Sequence, residues 1–343
     1  MLYKILKKED YTNFIKKLIS NYEFIGPKKK DEVVHDFVPI KNIEELSTDY
    51  KRTVIPPAKK LLFPSTEELV EYEVGDEVKI NPVVISNEKI LFGINAWDIS
   101  AMNFLDKIFS TDFIDENYFA KRNKLIVIGK DCDPTETNFS LSMGAEYVKE
   151  GFDIYLTELL DRYFVRVATA KGNELLENYA KTKDAVREDF RDYDLYMDEY
   201  RNKFSLQVDI KNFYDNFDSI YNDEKFWERV AKNCYSCGSC NLVCPTCFCF
   251  NVKDDMELNL VIGKKIREWD SCMMPDYGLV AGGHNFRPTK ENRLKQRYQC
   301  KLKTFVDKFG TYGCVGCGRC IEACLAKINI AEDINSVKKE VSV

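Results

Sequence analysis

Two cysteine runs with the same spacing constrain this chain more than any other feature. The first run follows C-x2-C-x2-C-x3-C and comprises Cys234, Cys237, Cys240 and Cys244. The second run repeats that spacing with Cys314, Cys317, Cys320 and Cys324. This is a spacing that supplies thiolates to a [4Fe–4S] cluster, because three thiolates on one tight loop can each bind a different iron. The sequence therefore predicts two [4Fe–4S] clusters held by these eight cysteines.

Two other uses of clustered cysteines fit this pattern poorly. Structural zinc takes four ligands, usually as two C-x2-C pairs, whereas this chain has two complete sets of four. A disulfide framework is typical of small secreted chains, and this chain has 343 residues. Iron–sulfur clusters are the interpretation that accounts for both runs.

Each run leaves open which cluster its fourth cysteine binds. In compact two-cluster ferredoxins that cysteine ligates the cluster of the other run. Crossed ligation would give one cluster Cys234, Cys237, Cys240 and Cys324, and the other Cys314, Cys317, Cys320 and Cys244. We expect the crossed arrangement, since the x3 spacing carries the fourth sulfur away from its own loop. Ligation within each run is the alternative.

The cysteines outside the two runs are Cys132, Cys247, Cys249, Cys272 and Cys300. Cys132 is expected to be an unpaired, partly buried thiol. The other four are expected to be packing thiols or hydrogen-bond neighbours of the cluster sulfurs, and a third cluster is the alternative.

Residues 284–303 hold seven Lys or Arg and one Glu. This basic segment either covers the anionic clusters, docks an acidic partner or is simply solvated.

The composition narrows the class of protein. The net charge is −6, which argues against general nucleic-acid binding. No apolar stretch is long enough to span a membrane, and the first ten residues lack the apolar core of a signal peptide. Reduced thiols and oxygen-sensitive clusters lead us to expect a cytoplasmic protein of an anaerobe. Twelve of the 13 cysteines lie beyond residue 230, which divides the chain into a cysteine-poor front and a metal-binding back.

Hydrophobic patterns in the front predict both helices and strands. Residues 3–20 have the spacing of an amphipathic helix, and so do residues 98–109. Residues 83–85 and 90–94 read as a hairpin or as successive strands. Residues 124–129 are a short apolar run typical of a buried strand.

A strand, a helix and a strand in succession indicate a βαβ unit. Residues 155–167 add a hairpin across Asp161 and Arg162. The expected fold class is mixed α+β: an α/β domain over residues 1–225, then a helical ferredoxin-like domain with two clusters over residues 226–343. The front contains no G-x-G-x-x-G, P-loop or G-x-S-x-G motif, and we predict no catalytic residues.

Several motifs in the back resemble one family. They are the first run with its ending Cys-Pro-Thr-Cys-Phe-Cys, the segment from Trp269 to Cys272, the segment from Ala281 to Arg287, and the start of the second run. These motifs resemble the family of dicluster ferredoxin subunits that includes the iron–sulfur subunit of anaerobic sulfite reductases. The β subunits of cytoplasmic sulfhydrogenases look similar. The resemblance is strong over residues 230–330 and weak in the front.

The resemblance implies a role in electron transfer. Such subunits relay electrons from a flavin subunit, which takes them from NAD(P)H, to a catalytic subunit that carries sirohaem in the sulfite reductase and nickel–iron in the hydrogenase. We expect an electron-transfer subunit of an anaerobic sulfite reductase, with a hydrogenase β subunit or an independent flavin-binding oxidoreductase as alternatives. Residues 138–141 lack the cysteines that several relatives have there, so no additional metal site is expected in the front.

Overall fold

A computed structural model describes residues 1–31, 34–47, 49–51, 53–84 and 86–337. Its strands are β1 Leu2–Lys7, β2 Glu23–Lys29, β3 His35–Pro39, β4 Thr66–Val74, β5 Val78–Pro82, β6 Lys89–Ile94, β7 Leu125–Lys130, β8 Ile154–Glu158, β9 Arg162–Val167, β10 Thr182–Asp184, β11 Phe250–Met256 and β12 Ile262–Trp269. Its α-helices are α1 Lys8–Asn21, α2 Pro57–Leu62, α3 Ala96–Ser110, α4 Glu116–Arg122, α5 Ala170–Tyr179, α6 Arg187–Asn202, α7 Ile210–Asp215, α8 Phe217–Asn222, α9 Glu224–Ala231, α10 Ser239–Leu242, α11 Lys290–Gln299, α12 Phe305–Phe309, α13 Arg319–Glu322 and α14 Ile330–Asn335. Short 3₁₀ turns cover Ile43–Glu45 and Pro275–Gly278, and one π-helical turn covers Cys300–Thr304. No helix among the described residues is long and apolar enough to cross a membrane.

The chain divides into two compact units, and each is built from separate segments. Unit 1 contains residues 1–62, 85–136 and 145–205. Unit 2 contains residues 63–84, 137–144 and 206–343. This division differs from the predicted boundary after residue 225, because two earlier segments and residues 206–225 pack with the cysteine-rich part. A strand at residues 66–74 hydrogen-bonds to β12, a long-range pairing that sequence composition does not report.

Unit 1 is organised on a sheet of strand order β10-β1-β9-β8-β7-β6-β2-β3. The strands β2, β6, β7 and β8 are parallel, and the remaining pairs are antiparallel. Helices α3 and α4 connect β6 to β7, so the predicted βαβ unit is confirmed. Helix α3 begins where the Asn95 side chain accepts a hydrogen bond from the Asp98 backbone N–H at 3.0 Å, an N-cap that satisfies a free amide. The hairpin across Asp161 and Arg162 is also confirmed, with Glu158 opposite Tyr163.

Two predictions for the front are wrong in part. Residues 2–7 form strand β1, and the helix predicted from residue 3 begins only at Lys8. Ile5 and Leu6 are both buried and belong to different hydrophobic clusters, as expected when neighbouring strand residues face opposite sides of a sheet. Residues 90–94 lie in β6, but β6 pairs in parallel with β2 and β7 and forms no hairpin with residues 83–84. The rest of that predicted strand, Ile85, lies outside the described residues.

Unit 2 combines an antiparallel sheet with a helical core. The sheet has the order β11-β12-β4-β5, in which β11 and β12 form a hairpin. The core packs aromatic and aliphatic side chains of the helices together: Phe213, Phe217, Trp227, Leu294, Tyr298, Leu302, Ile330 and Ile334. Cysteines from both runs pack against this core. The helical core therefore fixes the backbone from which both cysteine loops project.

Candidate metal centres

The two cysteine runs fold into the same local structure. Gly238 has φ 76° and ψ −10°, and Gly318 has φ 76° and ψ −11°. Each glycine precedes a single helical turn, α10 in the first run and α13 in the second. A positive φ of this size is easy for glycine and unfavourable for other residues. The sequence repeat is thus a structural repeat in which glycine turns the chain between the second and third cysteines.

Backbone amides point at the first sulfur of each run. The Ser236 N–H donates to Cys234 Sγ, and the Gly316 N–H donates to Cys314 Sγ, both at 3.4 Å. Ser236 and Gly316 also have positive φ angles, of 54° and 67°. Hydrogen bonds to sulfur stabilise thiolate over thiol, and they are one means by which proteins tune a cluster's reduction potential.

The eight thiols of the two runs line two cavities. The first cavity is lined by Cys234, Cys237, Cys240, Cys320 and Cys324. The second is lined by Cys244, Cys314, Cys317 and Cys320. Each cavity therefore receives the first three cysteines of one run and the fourth cysteine of the other, while Cys320 contributes to both walls. This grouping supports crossed ligation, and the assignment of each thiolate to a particular iron stays a prediction.

The donor chemistry of both cavities fits iron–sulfur clusters. Each cavity is lined by at least four thiols, enough to supply one thiolate to each iron of a [4Fe–4S] cluster. Apolar side chains such as Met273, Leu294 and Ile330 line the remaining walls and would restrict water. No group of three His, Cys, Asp or Glu among the described residues is arranged to hold one metal ion. A [4Fe–4S] cluster makes a different demand, because it binds its thiolates at separate irons.

Buried thiols must lose protons before they can bind iron. Burial raises the pKa of Cys314 to about 12, so without iron this thiol is neutral near pH 7. Cys237 is exposed, and a hydrogen bond with the Ser239 hydroxyl lowers the pKa of its thiol. The pKa values of these two thiols are therefore shifted in opposite directions.

A buried arginine lies between the two runs. Arg297 is 4% exposed and lines both cavities. Its Nε donates to Asn241 Oδ1 at 2.9 Å, and its Nη2 donates to the Cys240 carbonyl at 3.3 Å. Burial lowers the pKa of Arg297, but nearby thiolates, with Cys240 and Cys320 first, raise it by more. The guanidinium is positioned to stabilise the negative charge of thiolate-bound clusters.

A buried lysine, Lys301, lies four residues after Arg297. Lys301 is 2% exposed, lines the second cavity and donates from Nζ to Thr246 Oγ1 at 2.7 Å. The Thr246 hydroxyl lies 3.2 Å from Cys244 Sγ. Burial lowers the pKa of Lys301, and the thiolates around it, with Cys244 first, raise it above its ordinary value. Lys301 is thus held as an ammonium beside the second cavity.

The sequence revealed the basic segment at residues 284–303, but not that some of its basic side chains are buried. Arg293, Arg297 and Lys301 recur every four residues on one helical face, and all three are buried. The spacing of basic residues was the available signal, but a solvated face would show the same spacing.

The contact of residues 137–144 with the second cysteine loop was not predicted, because this segment precedes the second run by 170 residues or more. The Phe139 N–H donates to the Gly316 carbonyl at 2.7 Å, so this segment supports the second loop directly.

The repeated loops and their thiol-lined cavities define an iron–sulfur protein of the dicluster class. A family model for the 4Fe-4S dicluster domain matches residues 233–328, and the chain carries two [4Fe–4S] clusters. Along nearly its whole length the chain is also similar to sulfhydrogenase 2 subunit beta of Pyrococcus furiosus, with 33% identity over 340 residues that cover 99% of both chains. The chain belongs to the family of these sulfhydrogenase beta subunits. The expected fold class is confirmed as mixed α and β with a C-terminal dicluster domain.

Proposed function

We propose that this chain is the iron–sulfur electron-transfer subunit of an oxidoreductase complex. The observation that carries the proposal is the shared wall of the two cavities, in which Cys320 takes part on both sides. A [4Fe–4S] cluster in each cavity supplies one-electron chemistry. A shared wall keeps the step between the two clusters short. The chain's own part is to hold the thiolates, restrict water and offset charge.

The residues around the cavities match that task. Each added electron makes a cluster more negative, and the cations of Arg297 and Lys301 oppose that charge from buried positions. Buried charges are screened by solvent far less than surface charges. In this role the chain carries out no bond-making step and needs no catalytic residue. Electrons would enter from a flavin subunit that oxidises NAD(P)H and leave to a catalytic subunit.

We also propose which kind of catalytic subunit receives the electrons. The motifs alone predict a sirohaem sulfite reductase first and a nickel–iron hydrogenase second. The similarity along 99% of the chain to a sulfhydrogenase beta subunit reverses that order, and we infer a nickel–iron partner. The cytoplasmic location and the anaerobic host stay predictions, as do the absence of nucleic-acid and membrane partners.

A flavin-binding oxidoreductase is the second candidate, and one observation favours it. Unit 1 has an open polar cleft lined by Lys130, Asp131 and Glu158, which lie at the carboxyl ends of β7 and β8. Open α/β sheets commonly bind ligands at that end of parallel strands. Flavin released from the purified chain on denaturation would support this candidate. Flavin-free protein with full cluster content would support the relay.

Co-purification and isolation test the proposal together. Affinity purification under anaerobic conditions should recover a flavin subunit and a nickel-containing catalytic subunit with the chain. The purified chain alone should accept electrons from a low-potential donor, yet neither evolve hydrogen nor reduce sulfite. Turnover by the chain alone would refute the relay. Recovery of a sirohaem subunit would keep the relay and replace the hydrogenase by a sulfite reductase.

A further inference from the structure

Four cysteines that neither run uses lie in unit 2. Cys247 and Cys249 stand between the first run and β11, Cys272 follows β12, and Cys300 opens the π-helical turn. Cys247 and Cys272 are 7% and 9% exposed, and Cys249 and Cys300 are partly buried. Segments that are far apart in sequence therefore bring four thiols into the interior of one unit.

Pairwise contacts connect these thiols to one another or to the first run. Cys249 and Cys272 are in hydrogen-bonding contact. Cys300 lies close enough to Cys249 and Cys244 to interact with both electrostatically. Cys247 is in hydrogen-bonding contact with Cys244, the fourth cysteine of the first run. Through this contact the group reaches Cys244, which lines the second cavity.

Polar groups contact two of these four sulfurs. The Asn241 side-chain amide donates to Cys272 Sγ at 3.0 Å, and its oxygen accepts from Arg297. The Tyr277 hydroxyl is in hydrogen-bonding contact with Cys249. Outer hydrogen bonds of this kind orient metal ligands and tune the metal centre.

The backbone at Cys300 departs from regular helix. Residues Cys300–Thr304 form a π-helical turn between α11 and α12. Single π turns are rare and occur frequently at functional sites. Gly313 packs against this turn, since a Cβ there would lie 2.9 Å from the Cys300 carbonyl oxygen. The wide turn carries Cys300, whose thiol is close enough to Cys249 to interact with it electrostatically.

We propose that Cys247, Cys249, Cys272 and Cys300 bind a third iron–sulfur cluster. Four thiolates are the ligand set of [4Fe–4S] and [2Fe–2S] clusters alike, and each thiol releases its proton on binding. The contact between Cys247 and Cys244 places this centre next to the second cavity. It would add one more redox centre to the electron-transfer path, whichever catalytic subunit the complex contains.

The metal content of the full-length chain, purified anaerobically, tests the proposal. A third four-iron cluster gives about twelve irons and twelve labile sulfides per chain, and a two-iron cluster gives about ten of each. Cys272→Ala should lower either value to about eight and leave the spectroscopic signals of the two clusters held by the runs. The matched control is Cys132→Ala, whose thiol lies in unit 1, and it should keep the full iron content.

Two further measurements keep the test decisive. If Cys272→Ala fails to fold, Cys300→Ser serves in its place, and Mössbauer quantification of the unaltered chain needs no variant at all. About eight irons in the unaltered chain would overturn the proposal. So would zinc bound by these thiols, a Cys249–Cys272 disulfide in the anaerobic protein, or an unchanged iron count in Cys272→Ala and Cys300→Ser.

Discussion

Replacing the buried Lys301 by Met should lower the reduction potential of the second cluster. Met retains most of the volume of the lysine side chain and removes its charge. The hydrogen bonds that join Lys301 to Thr246 and Thr246 to Cys244 place Nζ within about 6 Å of Cys244 Sγ. Removing a cation at this distance makes the added electron less stable, so the expected direction is downward.

Coulomb's law gives the size of the shift. With an effective dielectric constant of about 20, unit charges interact by about 3 kcal/mol at 6 Å and by about 1.7 kcal/mol at 10 Å. The added electron is spread over the cluster and lies farther from Nζ than the sulfur does. The interaction energy that is lost should therefore lie between these two values. For a one-electron step they correspond to a decrease of roughly 70 to 120 mV.

An anaerobic redox titration followed by electron paramagnetic resonance measures the shift. Lys303→Met is the matched control, because Lys303 lies two residues away and forms a salt bridge with Asp307 at the surface, at 2.7 Å. Solvent and salt screen that charge, so the control should leave the potential almost unchanged. Iron content is measured first for each variant. Equal potentials in fully loaded Lys301→Met and Lys303→Met would refute the reasoning.

Three further predictions concern the loops and unit 1. Under crossed ligation, Cys244→Ser and Cys317→Ala damage the same cluster, so the double variant keeps the other cluster in native form by spectroscopy. Gly316→Ala should lose the second cluster in an iron assay, since a Cβ there would lie 2.6 Å from the Phe139 backbone. Gly310→Ala also strains a positive φ but meets no atom within 4 Å, so it should cost about 1 kcal/mol of unfolding free energy and keep its iron. Burial raises the pKa of Asp36, and hydrogen bonds from two lysines lower it by more. Its ionised form therefore stabilises the fold above the ordinary carboxyl pKa, and that contribution is lost as the pH falls. Asp36→Asn should thus weaken hydrogen-exchange protection of β2 and β3 by about 1 kcal/mol at pH 7 and by little at acid pH.

Each of these predictions has an outcome that would contradict it. Loss of both native clusters in the double cysteine variant, with one kept in each single variant, would indicate ligation within each run. Equal iron contents in the two glycine variants would show that the close approach to Phe139 does not matter. An Asp36→Asn effect that grows at acid pH would reverse the assigned sign. Asp184→Asn is its control, because that carboxylate is 83% exposed in its ion pair with Lys4.

The sequence was most informative where local spacing determines local structure. The two cysteine runs predicted two repeated loops, and the loops share backbone angles because each needs a glycine at the same turn. The apolar run before Gly129 predicted β7, which is buried as expected for a strand inside a parallel sheet. In both cases neighbouring residues carry the whole signal.

The sequence was least informative where distant segments meet. Residues 2–7 have helical spacing but form a strand, because β9 and β10 offer hydrogen bonds on both sides. The contribution of Phe139 to the second loop and the pairing of β4 with β12 join segments separated by more than 150 residues. Spacing cannot report such contacts. The spacing of Arg293, Arg297 and Lys301 was visible as a pattern, but only the structure shows that all three are buried and that Arg297 and Lys301 line the thiol cavities.

The most direct test of the central claim is an anaerobic reductive titration of the purified full-length chain. The claim is that thiolate-bound clusters in unit 2 accept and release single electrons. The account predicts reversible uptake of one electron per cluster from a low-potential donor, with complete reoxidation by an artificial acceptor. Cys234→Ser in the first run should remove one electron equivalent from that total. A chain that holds its full iron and sulfide yet takes up no electrons would contradict the account.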